Sequence, residues 1–345
     1  MDIDARRLSA RTAVVAGTLG LMAAPVVVIL LAPEAFLLLF AGSLLAIFMI
    51  GSARIVEEHT PLSYGWSLLA TLLMYLTMAA LLALLLLPRV AESLTELGEQ
   101  IPERISQAQD TLSRTSLGRV ILREADKATE TERIRNQLDE IWKRSAGAIS
   151  SAAGALGSGV IILFIGIYLA AMPKAHLRLL RRFLPESGAR KAEETMGEMG
   201  SVLWRWLMGR LLEMTMVGIL TWLGLLLIGL PMALSLGFIA GALSFIPYLG
   251  PILALLPVTL VAISESLPMV LWVLGIFFVV QGVESYLLTP LIQKQAVSLH
   301  PVAILMAQLV MGSLFGILGV ALATPLTAVA MTMAESLAPK PGIGG

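Results

Sequence analysis

Uncharged apolar runs alternate along the chain with short polar loops, and one long charged stretch interrupts them. From Thr12 to Ala53 the only side chain with a formal charge is Glu34, beside Pro33. The run therefore predicts two helices joined by a tight turn. Trp66 to Leu87 predicts a third span ending at Pro88 and Arg89, with Trp66 where interfacial aromatics gather. Ala146 to Met172 predicts a fourth, opening with Gly and Ala residues that let helices approach closely. Val202 to Gly229 predicts a fifth, and Pro268 to Thr289 a later one. Such runs suit a hydrocarbon core about 30 Å thick, which takes about 20 apolar residues to cross as a helix.

Between Arg89 and Ser145 charges of both signs alternate with apolar residues at helical spacing. Val90, Leu94, Leu97, Ile101, Ala108 and Leu112 form one stripe, and Ile134, Leu138 and Ile141 a second. This pattern predicts amphipathic helices in a soluble insert, packed on each other or paired in an oligomeric coiled coil. Orientation follows from short basic loops, because long inserts are translocated largely regardless of charge. The basic residues between Lys174 and Arg205 place that segment in the cytoplasm. Counting back four spans puts the Arg-bearing N-terminus there too, and the insert outside. The domain plan is 1–88 (three membrane helices), 89–145 (extracytoplasmic helical insert), 146–172 (fourth membrane helix), 173–205 (basic cytoplasmic segment) and 206–337 (a C-terminal block). Both termini are expected in the cytoplasm.

Two segments of that block, 231–264 and 301–334, are too long. Each would measure about 51 Å as a straight helix at about 1.5 Å per residue. Each also carries a Gly/Pro-rich break near its middle: Pro247-Tyr248-Leu249-Gly250-Pro251 in the first and Gly316-Ile317-Leu318-Gly319 in the second. A break favours a re-entrant hairpin, and a packing kink is the plainer alternative. The segments share an opening proline, a phenylalanine before the break, Leu-Gly within it and a later Glu-Ser-Leu, at an offset of about 68 to 70 residues. Two hairpins fed from opposite faces would make an inverted repeat, an architecture of secondary transporters in which unwound backbone at the midplane meets a ligand, water or protein. The fold class is thus all-α, a polytopic membrane protein of about eight membrane segments, two of them re-entrant, plus the insert.

Composition sharpens the class. Of 345 residues 57% are hydrophobic and 14% charged, against roughly 25% charged in a soluble domain, which excludes a soluble single-core protein. Basic and acidic residues balance at 24 each, so no basic surplus suggests nucleic acid, and the lipid bilayer is the expected partner. Cysteine is absent, and His59, His176 and His300 are scattered, so no metal site or cofactor is expected. Neither a Walker phosphate loop, an H-E-x-x-H motif nor a nucleophile elbow supports an enzyme.

The polar residues inside apolar runs are the candidates for chemistry. Arg210 and Glu213 lie one helical turn apart, as an intrahelical ion pair or, for Glu213, a proton or cation site. Glu284, with Gln281 one turn earlier, lies among aromatic and aliphatic residues, where an ionisable group is costly unless it faces a bundle interior or wet cavity. Glu284, rather than the Arg-paired Glu213, is therefore expected to carry a coupling proton or cation. Ser244, Tyr248, Gln308, Ser313 and Thr324 offer neutral donors and acceptors, either for a small hydroxylated solute or for bonds within and between helices. With Pro247, Gly250, Pro251, Gln281, Gly316 and Gly319 they make up the expected substrate path.

At Phe245-Ile246-Pro247-Tyr248-Leu249-Gly250-Pro251 the sequence resembles the autoinducer-2 exporter family of bacterial membrane proteins. Further marks are Glu284 six residues before Pro290, His300-Pro301, Leu314-Phe315-Gly316 with Gly319, and Ala323-Thr324-Pro325. Many members have asparagine where this chain has Ser285. The resemblance covers the whole layout and implies export of a small quorum-sensing signal or metabolite through the inner membrane by a homo-oligomer, with a pentamer among the assemblies it suggests. Some similar proteins are associated with sodium/proton antiport, which makes a cation antiporter the second expectation. A non-transporting scaffold that binds a partner through the insert is the alternative from another class; it leaves the two broken segments unexplained.

Overall fold

The computed structural model describes residues 32–113, 152–173, 175, 186–288 and 301–337. The first expected span and most of the insert lie outside the described residues. Within them the chain forms helices and connecting turns without a strand: α1 (Pro33–His59), α2 (Tyr64–Ser113), α3 (Ala152–Ala171), α4 (Glu186–Leu227), α5 (Ala233–Leu243), α6 (Leu249–Glu265), α7 (Leu267–Val283), a π-helical turn (Glu284–Leu288) and α8 (Pro301–Leu337). Five helices among the described residues are long and apolar enough to cross a membrane. The all-α, polytopic character expected from the sequence is therefore the observed one.

Helix boundaries follow local chemistry. α1 opens at Pro33, whose missing N–H costs nothing in a first helical turn. α4 closes on Gly229 at φ 71°, where the amides of Gly229 and Leu230 donate to the carbonyls of Leu226 and Leu225. These two hydrogen bonds satisfy carbonyls left over at a helix end. α7 is capped by Ser266, whose hydroxyl accepts from the Met269 amide at 3.3 Å. Two elements run further than the sequence pattern indicates. α2 continues through Pro88 to Ser113, and α4 joins part of the basic segment to the fifth span in one helix. The switch from apolar to charged residues marks where the environment changes, and a helix can pass through that change unbroken.

The chain divides into two compact units, so the C-terminal block 206–337 is shared between them. The first contains the described residues of 1–75, 157–207 and 295–345. α1 is its organising helix. Ala46, Met49 and Ala53, on one face, pack with Leu68 and Ala170, while Leu37 and Leu44 pack with Leu203 and Leu322. α1 and α3 approach through glycines on both sides. A Cβ added at Gly42 would lie 2.7 Å from Ile165 Cβ, and one at Gly166 2.8 Å from Leu45 Cδ2. Small residues permit this spacing where lipid gives helices no hydrophobic drive to associate. The Tyr64 hydroxyl donates to the Ala170 carbonyl at 2.8 Å, tying the start of α2 to the end of α3.

The second unit contains the described residues of 76–156 and 208–294. Its core joins Leu225 and Leu230 to Ala233 and Leu236, Val258, Val261 and Ala262, and Val273. α5 lies against α4 through glycines: a Cβ on Gly241 would sit 2.7 Å from the Met214 carbonyl oxygen and 2.9 Å from Gly218 Cα. Laid end to end, α5 and α6 would hold Ala233 and Val261 about 42 Å apart. Both belong to one core cluster, so the chain doubles back between them.

Candidate functional site

The first broken segment turns through Ser244–Tyr248, and its turn is closely hydrogen-bonded. The Ser244 hydroxyl donates to the Gly241 carbonyl at 2.7 Å, and the Phe245 and Ile246 amides donate to Ala242 and Leu243. Around Tyr248, at φ 64° and ψ −48°, the Leu249 amide donates to the Pro247 carbonyl at 2.7 Å. This is the rare γ-turn with positive φ, which a residue bearing Cβ adopts only under strain. The Gly250 amide then donates to the Ile246 carbonyl and starts α6. A Cβ on Gly250 would lie 2.7 Å from the Leu243 carbonyl carbon. Glycine is needed there because the two limbs meet backbone to backbone. Pro251, half-buried, follows in the first turn of α6.

The second broken segment repeats this construction inside α8. Helical dihedrals fail at Gly316, at φ 61° and ψ −147°, a region open essentially to glycine alone. A Cβ on Gly319 would lie 2.8 Å from the Met311 carbonyl carbon, and one on Gly312 2.7 Å from Val320 Cγ2. Residues eight apart in a straight helix are about 12 Å apart along its axis, so α8 folds over itself at Gly316. The Ser313 hydroxyl donates to the Val310 carbonyl at 2.9 Å, as Ser244 does to Gly241. Ser244 and Ser313, and likewise Gly250 and Gly319, thus hold equivalent places in the two segments. Both serine hydroxyls are engaged with their own helices. Gln308 and Thr324 are buried at 1% and 2% exposure.

Arg210 and Glu213 form a salt bridge on α4, and both are buried. Glu284, half-buried, stands where α7 gives way to the π-helical turn. Gln281 Nε2 donates to Glu284 Oε2 at 3.0 Å. The Glu284 carboxyl also lies within hydrogen-bonding reach of Glu213 and in the field of Arg210. Sequence spacing presents Glu284 as a carboxyl with only a neutral neighbour; the fold instead adds it to the Arg210–Glu213 pair. No local pattern announces this, because the two glutamates are far apart in sequence. The π-turn was equally illegible, although such turns are frequent at functional sites. All four residues lie in the second unit, as do Ser244, Pro247, Tyr248, Gly250 and Pro251; Gln308, Ser313, Gly316, Gly319 and Thr324 lie in the first.

Strain at Tyr248 gives a first prediction. Tyr248→Gly removes a cost of about 1–3 kcal/mol, and should raise the thermal midpoint of the purified protein while lowering its activity through a loosened turn. Fluorescence-detected unfolding beside an activity assay checks both; an unchanged or lower midpoint would mean that the turn stores no strain.

Long apolar helices, two apolar segments broken at Ser244–Tyr248 and at Gly316, and a charged cluster inside one bundle define a multi-pass helical membrane protein. The family model described as "AI-2E family transporter" matches residues 14–338, and the chain belongs to that family. It is 27% identical over 306 residues to "Putative transport protein YueF" of Bacillus subtilis, covering 85% of this chain and 81% of that one. It is 32% identical over 190 residues to "Putative transport protein YrrI" of the same organism, covering 54% of each chain. With "Putative permease PerM" of Escherichia coli it shares 30% identity over 183 residues, covering 50% of this chain and 52% of that one. The chain thus spans about half the length of YrrI and PerM.

Proposed function

We propose that this protein is a secondary transporter that exports a small, polar, hydroxylated signal or metabolite of the autoinducer-2 kind across the bacterial inner membrane. The observation that carries the reading is the pair of apolar segments, each folding back at a break where a glycine meets an opposing carbonyl. Such breaks are costly in lipid unless the backbone is buried in protein or lines a path. The segments act as re-entrant hairpins reaching the midplane from opposite faces, and their movement is elevator-like. The working form is a homo-oligomer, a pentamer being the assembly proposed, and the helices outside the block 206–337 support its contacts. The Arg210–Glu213–Glu284 cluster favours ion coupling, and sodium/proton antiport is the second reading that the same cluster supports.

Orientation is testable because the chain has no cysteine. Thr115→Cys should react with an impermeant thiol reagent in intact cells and Ser187→Cys should not, since the basic segment is cytoplasmic and the insert outside. The reverse pattern would invert the topology. Coupling is tested with Glu284→Gln, which keeps the hydrogen-bonding shape but not the charge. In reconstituted vesicles it should abolish the dependence of solute flux on a pH or sodium gradient. Unchanged gradient dependence would exclude Glu284 from coupling.

A further inference from the structure

We propose that Glu213 and Glu284 form one site that holds a single exchangeable proton between their carboxyls, with Arg210 as fixed counter-charge and Gln281 as orienting donor. This inference rests on the ion-coupled transport reading and adds the chemistry of its site. The charged and titratable groups acting on Glu284 among the described residues are Glu213 and Arg210 of α4, and neutral Gln281 comes from its own helix.

Three observations converge. First, an ionised carboxylate only accepts hydrogen bonds, so two carboxyls within hydrogen-bonding reach need a proton between them. Second, Arg210 is salt-bridged to Glu213 in a buried setting and balances one negative charge. A second ionised carboxyl beside it would be an uncompensated charge, and like-charged groups so placed do not both ionise readily. Third, Glu284 opens the π-helical turn, a geometry that changes the direction of a side chain relative to a continuous α-helix. Gln281 already donates to Oε2, so the other oxygen is the better carrier of the proton.

The site also joins two helices. With the proton present, the cluster is neutral and the hydrogen bond draws the glutamates of α4 and of the turn after α7 together. When the proton leaves to water, two carboxylates face each other across one guanidinium, and repulsion favours separation. α5 and α6 share a core with α4 and α7, so proton gain or loss is transmitted to the first broken segment through packed side chains.

The test uses the full chain in lipid nanodiscs and infrared difference spectra recorded between mildly alkaline and mildly acidic pH. The wild type should show one protonated-carboxyl C=O band, sensitive to deuterium exchange; the three histidines also take up protons over this range but give no such band. Glu213→Gln and Glu284→Gln should each remove the band, because each leaves a single carboxylate partnered by Arg210. Glu213→Asp, which retains the carboxyl, should retain the band at a shifted frequency. A wild-type spectrum without the band overturns the proposal, as does a band that survives in Glu213→Gln, which would mean that Glu284 holds its proton alone. The wild-type spectrum decides even where a Gln variant fails to assemble. A shared proton without gradient-driven flux would refute the transport reading and leave the site; flux without the shared proton would do the reverse.

Discussion

Replacing Gly250 or Gly319 by alanine is expected to cut solute flux by roughly tenfold or more while the protein still assembles and elutes as the wild type does. At each position the added methyl group would sit against a backbone carbonyl of the opposing limb, Leu243 or Met311. Backbone cannot rotate away as a flexible side chain can, so the limbs must separate. Overpacking of this kind costs about 1–3 kcal/mol, and each 1.4 kcal/mol or so is a factor of about ten in an equilibrium. The cost falls on the tip geometry. Gly65 and Gly275, where an added Cβ meets no atom within 4 Å, are the controls and should tolerate alanine. Equal losses at all four positions would make the effect one of helix propensity or expression rather than of close approach.

The second large effect is expected at Arg210. Its guanidinium is buried and salt-bridged to Glu213, with Glu284 in its field. Removing one partner of a buried ion pair strands the other charge and typically costs about 3–5 kcal/mol. Arg210→Met should therefore lower thermal stability more than Glu213→Gln does. The double variant Arg210→Met/Glu213→Gln should recover much of the loss, because it removes the stranded carboxylate. Unfolding in detergent followed by tryptophan fluorescence measures all three. Additive losses in the double variant would show that the salt bridge contributes little.

Much of this is legible in the residues alone. Apolar runs announce the spans, since a helix crossing lipid must be apolar for most of its length. The length of the segments 231–264 and 301–334, and the glycines and prolines inside them, announce the breaks: no straight helix fits, and Gly316 is the residue type that its backbone angles demand. Other features were hidden because they depend on tertiary approach. The meeting of Glu284 with Glu213 needs α4 and the end of α7 side by side, and nothing within a helical turn of either glutamate encodes that. Tyr248 gives no sign of strain in the sequence, since tyrosine is not a residue expected at positive φ. The continuity of α2 through Pro88 was masked because proline normally argues for a helix end.

The breaks also explain how irregular backbone survives in an apolar protein. At Ser244–Gly250 the amides of Ser244, Phe245 and Ile246 and the serine hydroxyl find carbonyls in the last turn of α5, and those of Leu249 and Gly250 find carbonyls within the turn. The turn is therefore a built structure, capable of being carried as a unit. Ser313 and Gly319 provide the matching features in α8, which supports two devices of one design.

The most direct measurement is solute flux in proteoliposomes containing the purified wild-type chain, with an autoinducer-2-type hydroxylated solute on one side and a proton or sodium gradient imposed. The account predicts saturable, gradient-dependent flux above that of protein-free vesicles, lost in Gly250→Ala and Gly319→Ala. Flux equal to that of protein-free vesicles, for the solute and for sodium and protons alike, would contradict it.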